Sequence, residues 1–249
     1  MKTIKCTACG QNRQVIELVG GFEFAEPCPC RREFWRQQEE QQQRQHLADM
    51  RKVLPERLRA ATFAADDGKD PATAQLKRYA DKFEELRADG QGLLLWGEVG
   101  TGKSWGAAAI INALIDKGFG PAFTSLPEIL KMEQDFNNAD YLVGSLYRKP
   151  LIVIDDLGTE RGTAWANEKI YNFINTCNTR NIPLIITTNL HPTDLEKASK
   201  ESSDHDYARI YSRILERCYP IKINTVKRRA GNQVDNFHKM SEMLRGENA

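Results

Sequence analysis

Four short apolar runs stand out along the middle of the chain: "GLLLWG", "PAFTSL", "PLIVIDD" and "IPLIITTN". Between them lie segments with apolar residues at helical spacing, such as "SWGAAAIINALIDKG" and "TAWANEKIYNFINTCNTRN". Continuous apolar strands separated by helices predict a parallel sheet covered on both faces, a three-layer α/β domain from about residue 60 to 225. Ahead of the first run, Leu76, Tyr79, Ala80, Phe83 and Leu86 recur at helical spacing, and Gly90 marks the end of the helix they predict.

The start of the chain reads differently. Gly10, the Gly20-Gly21 pair, Pro27 and Pro29 break residues 1 to 30 into short strands and turns, too few to fold on an apolar core alone. From Arg31 to about Lys52 there is no Gly or Pro, and Gln, Glu and Arg dominate, which predicts a solvated helical linker. Phe34 and Trp35 are its large apolar residues near the start, expected to pack on the module before it or on a partner.

Composition narrows the class. A chain of 249 residues buries one sizeable core and carries a small appendage. Its 35 basic and 34 acidic residues nearly cancel, so any nucleic-acid or membrane contact must be local. "MKTIKCTACGQNR" lacks the apolar centre of a signal peptide, and no apolar run approaches the roughly 18 residues of a membrane span. A cytoplasmic protein without a membrane anchor is expected.

The glycines behind the first apolar run carry the clearest chemistry. Gly97, Glu98, Val99, Gly100, Thr101, Gly102, Lys103 and Ser104 satisfy G-x-x-x-x-G-K-[ST], placed after a strand and opening a helix. In such a loop backbone N–H groups turn inward around a β-phosphate, Lys103 neutralises the β and γ oxygens, and Ser104 ligates Mg²⁺. "LIVIDDLG" sets Asp155 and Asp156 at the carboxyl end of a strand, where open α/β sheets bind ligands. Adjacent buried acids resist ionisation unless a cation stands nearby, which assigns Asp155 to the magnesium and Asp156 to polarising the attacking water. Asn189, at the tip of "IPLIITTNL", is a candidate to reach the γ-phosphate or that water.

Two further patterns involve ligands or partners. Cys6, Cys9, Cys28 and Cys30 follow C-x2-C-x18-C-x-C, two thiolate pairs that suit a structural, tetrahedral zinc. In "DYARIYSRILERC", Arg209, Arg213 and Arg217 recur four apart on one helix face, with Ile210, Ile214 and Leu215 elsewhere around it. That stripe is either a solvated, salt-bridged face or a source of an arginine that reaches a neighbour's γ-phosphate.

Taken in order, "GEVGTGKS", "LIVIDDLG", "IITTN" and "ARIYSRILERC" closely resemble the DnaC/DnaI-type replicative helicase loaders of bacteria and phages, AAA+ ATPases related to DnaA and to IstB transposition ATPases. The resemblance spans roughly residues 50 to 230 and implies a P-loop fold of the AAA+ kind. It makes Lys103 and Ser104 the Walker A residues, Asp155 and Asp156 the Walker B pair, and Asn189 sensor 1. Arg213 falls at the arginine-finger position with Arg209 as companion, and Arg229, or its neighbour Arg228, at sensor 2. The family also implies ATP or ADP as cofactor, self-association into an oligomer, a DnaB-type helicase as partner and single-stranded DNA as ligand. Lys131, Phe136, Arg148 and Lys149 are then DNA candidates, weighed against an ordinary amphipathic helix whose Ile129, Leu130 and Met132 pack on the sheet. Many AAA+ proteins place Glu after the Walker B Asp, and Asp156 there implies slow or partner-controlled hydrolysis.

The expected organisation is a zinc-binding module at 1–30, a helical and helicase-contacting linker at 31–54, the AAA+ ATPase domain at 55–230 and a tail at 231–249. Two alternatives share the phosphate loop: an IstB-like ATPase assisting a transposase, and a P-loop phosphoryl transferase with a lid and an acceptor pocket.

Overall fold

The computed structural model describes residues 2–18, 22–25, 27–66, 68, 70–135, 137–158, 163–201, 205–224 and 240. Two compact units result, Met1–Met50 and Arg51–Ala249. Phe136, Arg228 and Arg229, and all of the expected tail except Met240, lie outside the described residues.

In the first unit β1 (Lys2–Lys5), β2 (Asn12–Leu18) and β3 (Phe22–Ala25) form an antiparallel sheet in chain order. Helix α1 follows at Pro29–Met50, two residues earlier than the composition predicts. The Cys28 carbonyl accepts from the N–H groups of Arg31 and Arg32, both at 2.9 Å. Pro29 then falls at the first helical position, where a missing N–H costs nothing. No residue of α1 is buried, as its predominance of Gln, Glu and Arg predicts. Phe34 and Trp35 are 55% and 42% exposed, and Trp35 lies under the Arg31 guanidinium at 5.0 Å.

The second unit opens with short 3-10 turns and then α2 (Ala72–Asp81) and α3 (Phe83–Ala88). The single helix expected here is two, because Lys82 leaves helical geometry at φ −97° and ψ 16°. Phe83 still lands in the core, where its ring meets Phe119 edge-on at 5.1 Å. Next come β4 (Gly92–Trp96), α4 (Lys103–Asp116), β5 (Ala122–Ser125), α5 (Leu126–Gln134) and α6 (Ala139–Leu146). Ser125 and Glu128 close a reciprocal capping box on α5, and the chain leaves the helix at Asp135. The segment read as one amphipathic helix is therefore two, with Ile129 fully buried and Leu130 and Met132 packed against the core. The unit ends with β6 (Ile152–Leu157), α7 (Ala164–Thr179), β7 (Leu184–Thr188), α8 (Pro192–Glu201), α9 (His205–Arg217) and β8 (Cys218–Lys222).

These five strands are all parallel, in the order β5-β6-β7-β4-β8. One face carries Leu94, Ile152, Ile154, Leu184 and Ile186 into a core shared with Ile170, Phe173 and Ile174 of α7 and Ile210 and Ile214 of α9. Strand alternation sends Leu93, Leu95, Val153 and Ile185 to the other face, against which α4 packs. Helix α2 covers α4 in turn, and Gly106 makes that approach possible: a Cβ there would come within 2.7 Å of Leu76 Cδ1. Burying each such Leu or Ile contributes about 1.5–3 kcal/mol, so the two-faced core fixes the strand ends firmly. Strand β8 was hard to see among the apolar runs because Tyr219, Pro220 and Lys222 interrupt it with exposed positions.

Candidate functional site

Strand order determines what meets at the carboxyl edge. Because β7 lies between β6 and β4, its tip separates the paired aspartates from the phosphate loop. Trp96 pairs with Thr188 in register, so Gly97 and Asn189 leave the sheet at the same level.

The loop's backbone is built for close approach. Gly97 has φ 150°, and a Cβ on it would lie 2.5 Å from the Ile223 carbonyl oxygen, a backbone contact that cannot yield. Gly102, at φ 102°, turns the chain into α4, whose amino end thus faces the loop's interior. Thr101 braces the turn by donating to the Glu98 carbonyl at 2.9 Å, while Val99 at the loop tip is exposed. Ser104 follows in the first turn of α4, half-buried.

Lys103 is buried and held by three oxygens: the carbonyls of Gly97 at 2.9 Å and Glu98 at 2.7 Å, and Asn189 Oδ1 at 2.7 Å. The other end of the Asn189 amide donates from Nδ2 to Asp156 Oδ1 at 3.3 Å. A chain of hydrogen bonds therefore joins the phosphate-loop lysine, through Asn189, to an aspartate. Asn189 does bridge the two motifs, through side-chain atoms of both.

The two aspartates are less alike than their adjacency suggested. Asp155 is half-buried and Asp156 exposed, so they are not a buried pair. The register between β6 and β7 shifts between Ile154 and Leu157, and Asp156 in that bulge has φ 63°. Thr187, a residue the sequence reading passed over as part of an apolar strand, holds both: its hydroxyl donates to Asp155 Oδ1 at 2.7 Å and accepts from the Asp156 N–H at 2.8 Å. The signal was available, since two threonines in a fully buried strand need partners for their hydroxyls. Thr188 finds its own in the Leu157 carbonyl at 2.7 Å.

Donor chemistry fits a magnesium nucleotide here: inward amides, an ammonium, a hydroxyl and a carboxylate surround one strand edge. Asp155 and Ser104 are the oxygen ligands a hard cation prefers.

The arginines gather elsewhere. Arg209 of α9 lies over the Tyr171 ring of α7 at 4.3 Å and donates to its hydroxyl at 3.3 Å. Arg213 pairs with Glu216 at 2.8 Å, and Arg217 donates to the Asp89 carbonyl. Burial alone would raise the Tyr171 phenol, but hydrogen bonds from Arg209 and Arg213 outweigh it and hold the group below its ordinary pKa. Of the DNA candidates, Arg148 stands 6.0 Å from the Tyr141 ring centre.

In the first unit the four early cysteines converge, with all sulfurs within 4.8 Å of one another. Cys6 and Cys30 Sγ are 3.7 Å apart, and Cys9 and Cys28 Sγ 3.2 Å. A tetrahedral zinc with bonds of about 2.3 Å sets sulfurs about 3.8 Å apart, so the cluster fits that ion. Cys28 immediately precedes α1 and Cys30 lies in its first turn, so the start of the helix sets the tight C-x-C pair. Hydrogen bonds from the Cys9 and Ala8 backbone bring the Cys6 thiol down to about 6, whereas the Cys28 and Cys9 thiols beside Cys30 push it up to about 12.

Among the described residues no helix is long and apolar enough to cross a membrane. A model of the IstB-like ATP-binding proteins matches residues 30–234. The replicative helicase loader DnaI of Bacillus subtilis (strain 168) is 24% identical over an alignment of 249 residues, which takes in 90% of this chain and 78% of DnaI. A crystal structure of DnaI superposes with a TM-score of 0.61 at 24% identity, over 72% of this chain and 98% of that one. One of the DnaC helicase loader gives 0.57 at 24% identity, over 68% and 100%. All describe the same AAA+ fold. Since the family match takes in every strand of the parallel sheet together with the loops that leave its carboxyl edge, the chain belongs to the IstB-like ATP-binding protein family.

Proposed function

We propose that this protein is an ATPase that loads a DnaB-type replicative helicase onto single-stranded DNA, using ATP as a conformational switch. The observation that carries the reading is the hydrogen-bonded path Lys103–Asn189–Asp156, which links the group that senses phosphate to a group placed for hydrolysis. Similarity to the B. subtilis helicase loader along most of the chain supports the destination of that switch.

Amides of residues 97–104 bind the phosphates, and Lys103 exchanges the carbonyls of Gly97 and Glu98 for phosphate oxygens. Asn189 then follows the lysine and shifts its hold on Asp156, which orients the attacking water. Magnesium, when bound, supplies positive charge at the phosphates, and Asp155 and Ser104 hold it. Arg213, with Arg209 beside it, acts on the nucleotide of an adjacent copy in an oligomer, and sensor 2 is assigned to Arg229. Single-stranded DNA runs past α5 and α6, with Lys131, Arg148 and Lys149 as contacts. Residues 1–30 form a structural zinc module, 31–54 contact the helicase, 55–230 form the ATPase domain and 231–249 a tail. Exposure of Phe34 and Trp35 supports a partner at that end. The protein acts in the cytoplasm.

Co-purification with the replicative helicase of the same cell, in ATP and in ADP, tests the proposal. A complex whose stability depends on the nucleotide is expected, and Lys103→Ala removes the dependence. Failure to form a complex in either nucleotide, or recovery of a transposase with preference for duplex DNA, overturns it.

A further inference from the structure

Strand β7 is buried along its whole length, and a hydroxyl in such a strand must earn its place by hydrogen bonding. Thr187 is 1% exposed, and its Oγ1 is used on both sides at once. It donates to Asp155 Oδ1 at 2.7 Å and accepts the Asp156 N–H at 2.8 Å. These two bonds fix the hydroxyl's direction: an N–H can only donate, so the Thr187 proton must point at the Asp155 carboxylate.

The bulge explains why a side chain is needed. Where the β6–β7 register shifts between Ile154 and Leu157, regular ladder pairing is interrupted. Asp156 sits there at φ 63°, a conformation costly for a residue other than glycine. The Thr187 hydroxyl takes the Asp156 N–H that the ladder does not, and so holds the strained residue in place. With one oxygen of Asp155 committed to Thr187, the carboxylate's rotation is limited and its second oxygen is left to meet a cation.

We infer that Thr187 is a positioning residue for both aspartates, setting the affinity for the magnesium complex of ATP and, through Asp156, the rate of hydrolysis. The inference rests on the reading of this edge as a magnesium–nucleotide site. It acts in the way that groups behind metal ligands orient them, where replacement costs about 10–100-fold in metal affinity or activity.

Thr187→Val keeps the shape and removes only the hydroxyl, and Thr187→Ser keeps the hydroxyl and removes only a methyl. Binding of a non-hydrolysable ATP analogue is measured with magnesium and with chelator, alongside the thermal midpoint of the nucleotide-free protein. In T187V, affinity in chelator stays at the wild-type value while the gain on adding magnesium shrinks by about 10–100-fold. T187S restores the gain. kcat falls in T187V with the same rescue, while KM follows the magnesium effect. Thr187→Ala makes the same comparison if valine is poorly accommodated. Equal magnesium gains in wild type and T187V overturn the inference alone, as does equal damage in T187V and T187S. Wild-type protein that binds no nucleotide overturns the magnesium–nucleotide reading along with it.

Discussion

At Asp156 the backbone itself selects the side chain. A φ of 63° is reached by Asp and Asn more readily than by longer side chains. The departure from the Glu common at this position thus has a local cause, the bulge. Asp156→Glu is expected to lower stability by about 1 kcal/mol and not to raise hydrolysis. Asp156→Asn keeps the conformation and an acceptor for Asn189, so it should leave the melting midpoint unchanged while hydrolysis collapses. A melting curve and a steady-state ATPase assay on the two variants check both. At this scale the sequence offers candidate residues but not how they are joined. Lys103, Asp155, Asp156 and Asn189 are legible as types at the ends of apolar runs. Thr187 is visible as a hydroxyl in an apolar strand, but its partners depend on register across two strands, which no local pattern encodes.

The elements differ in how openly they are written. Strands β4, β6 and β7 were predicted from near-continuous apolar runs, since burial on both faces leaves little polar alternation, whereas the end strand β5 was found despite burial at alternate positions only. The break at Lys82 and the one at Asp135 were missed, because apolar spacing continues across them and hides the change of direction. Helix α9 carries its message in the arginines: it uses Arg209 on Tyr171 and Arg213 on Glu216, leaving guanidiniums at the surface. Arg213→Ala should leave nucleotide affinity intact and depress hydrolysis about 10³-fold in the assembled state. A fluorescent-nucleotide titration beside an ATPase assay separates the two, and equal loss of both would instead indicate a folding defect. In the first unit three short strands enclose too little apolar surface to stand alone. Protein purified without chelator should contain about one zinc per chain, and its removal should unfold the strands before the second unit melts. Metal analysis and circular dichroism follow this, and near-zero zinc in a folded module would exclude the metal.

For the whole molecule, the order β5-β6-β7-β4-β8 is what turns separate motifs into one site. Three motifs spread over about a hundred residues of sequence meet because β7 was inserted between its neighbours, a long-range fact that periodicity cannot supply. The same order leaves β8 at an edge, with Pro220 in its middle. Ile223 donates its N–H to Trp96, so alternation turns the nitrogen of Pro220 away from β4, to the side where no strand pairs among the described residues. A strand laid along that side would find no hydrogen to accept at the centre of the edge. Pairing of a second strand along that side is disfavoured by the missing donor. An oligomer joined through the α9 arginines, as proposed above, should dissociate as salt is raised, which sedimentation at low and high ionic strength checks.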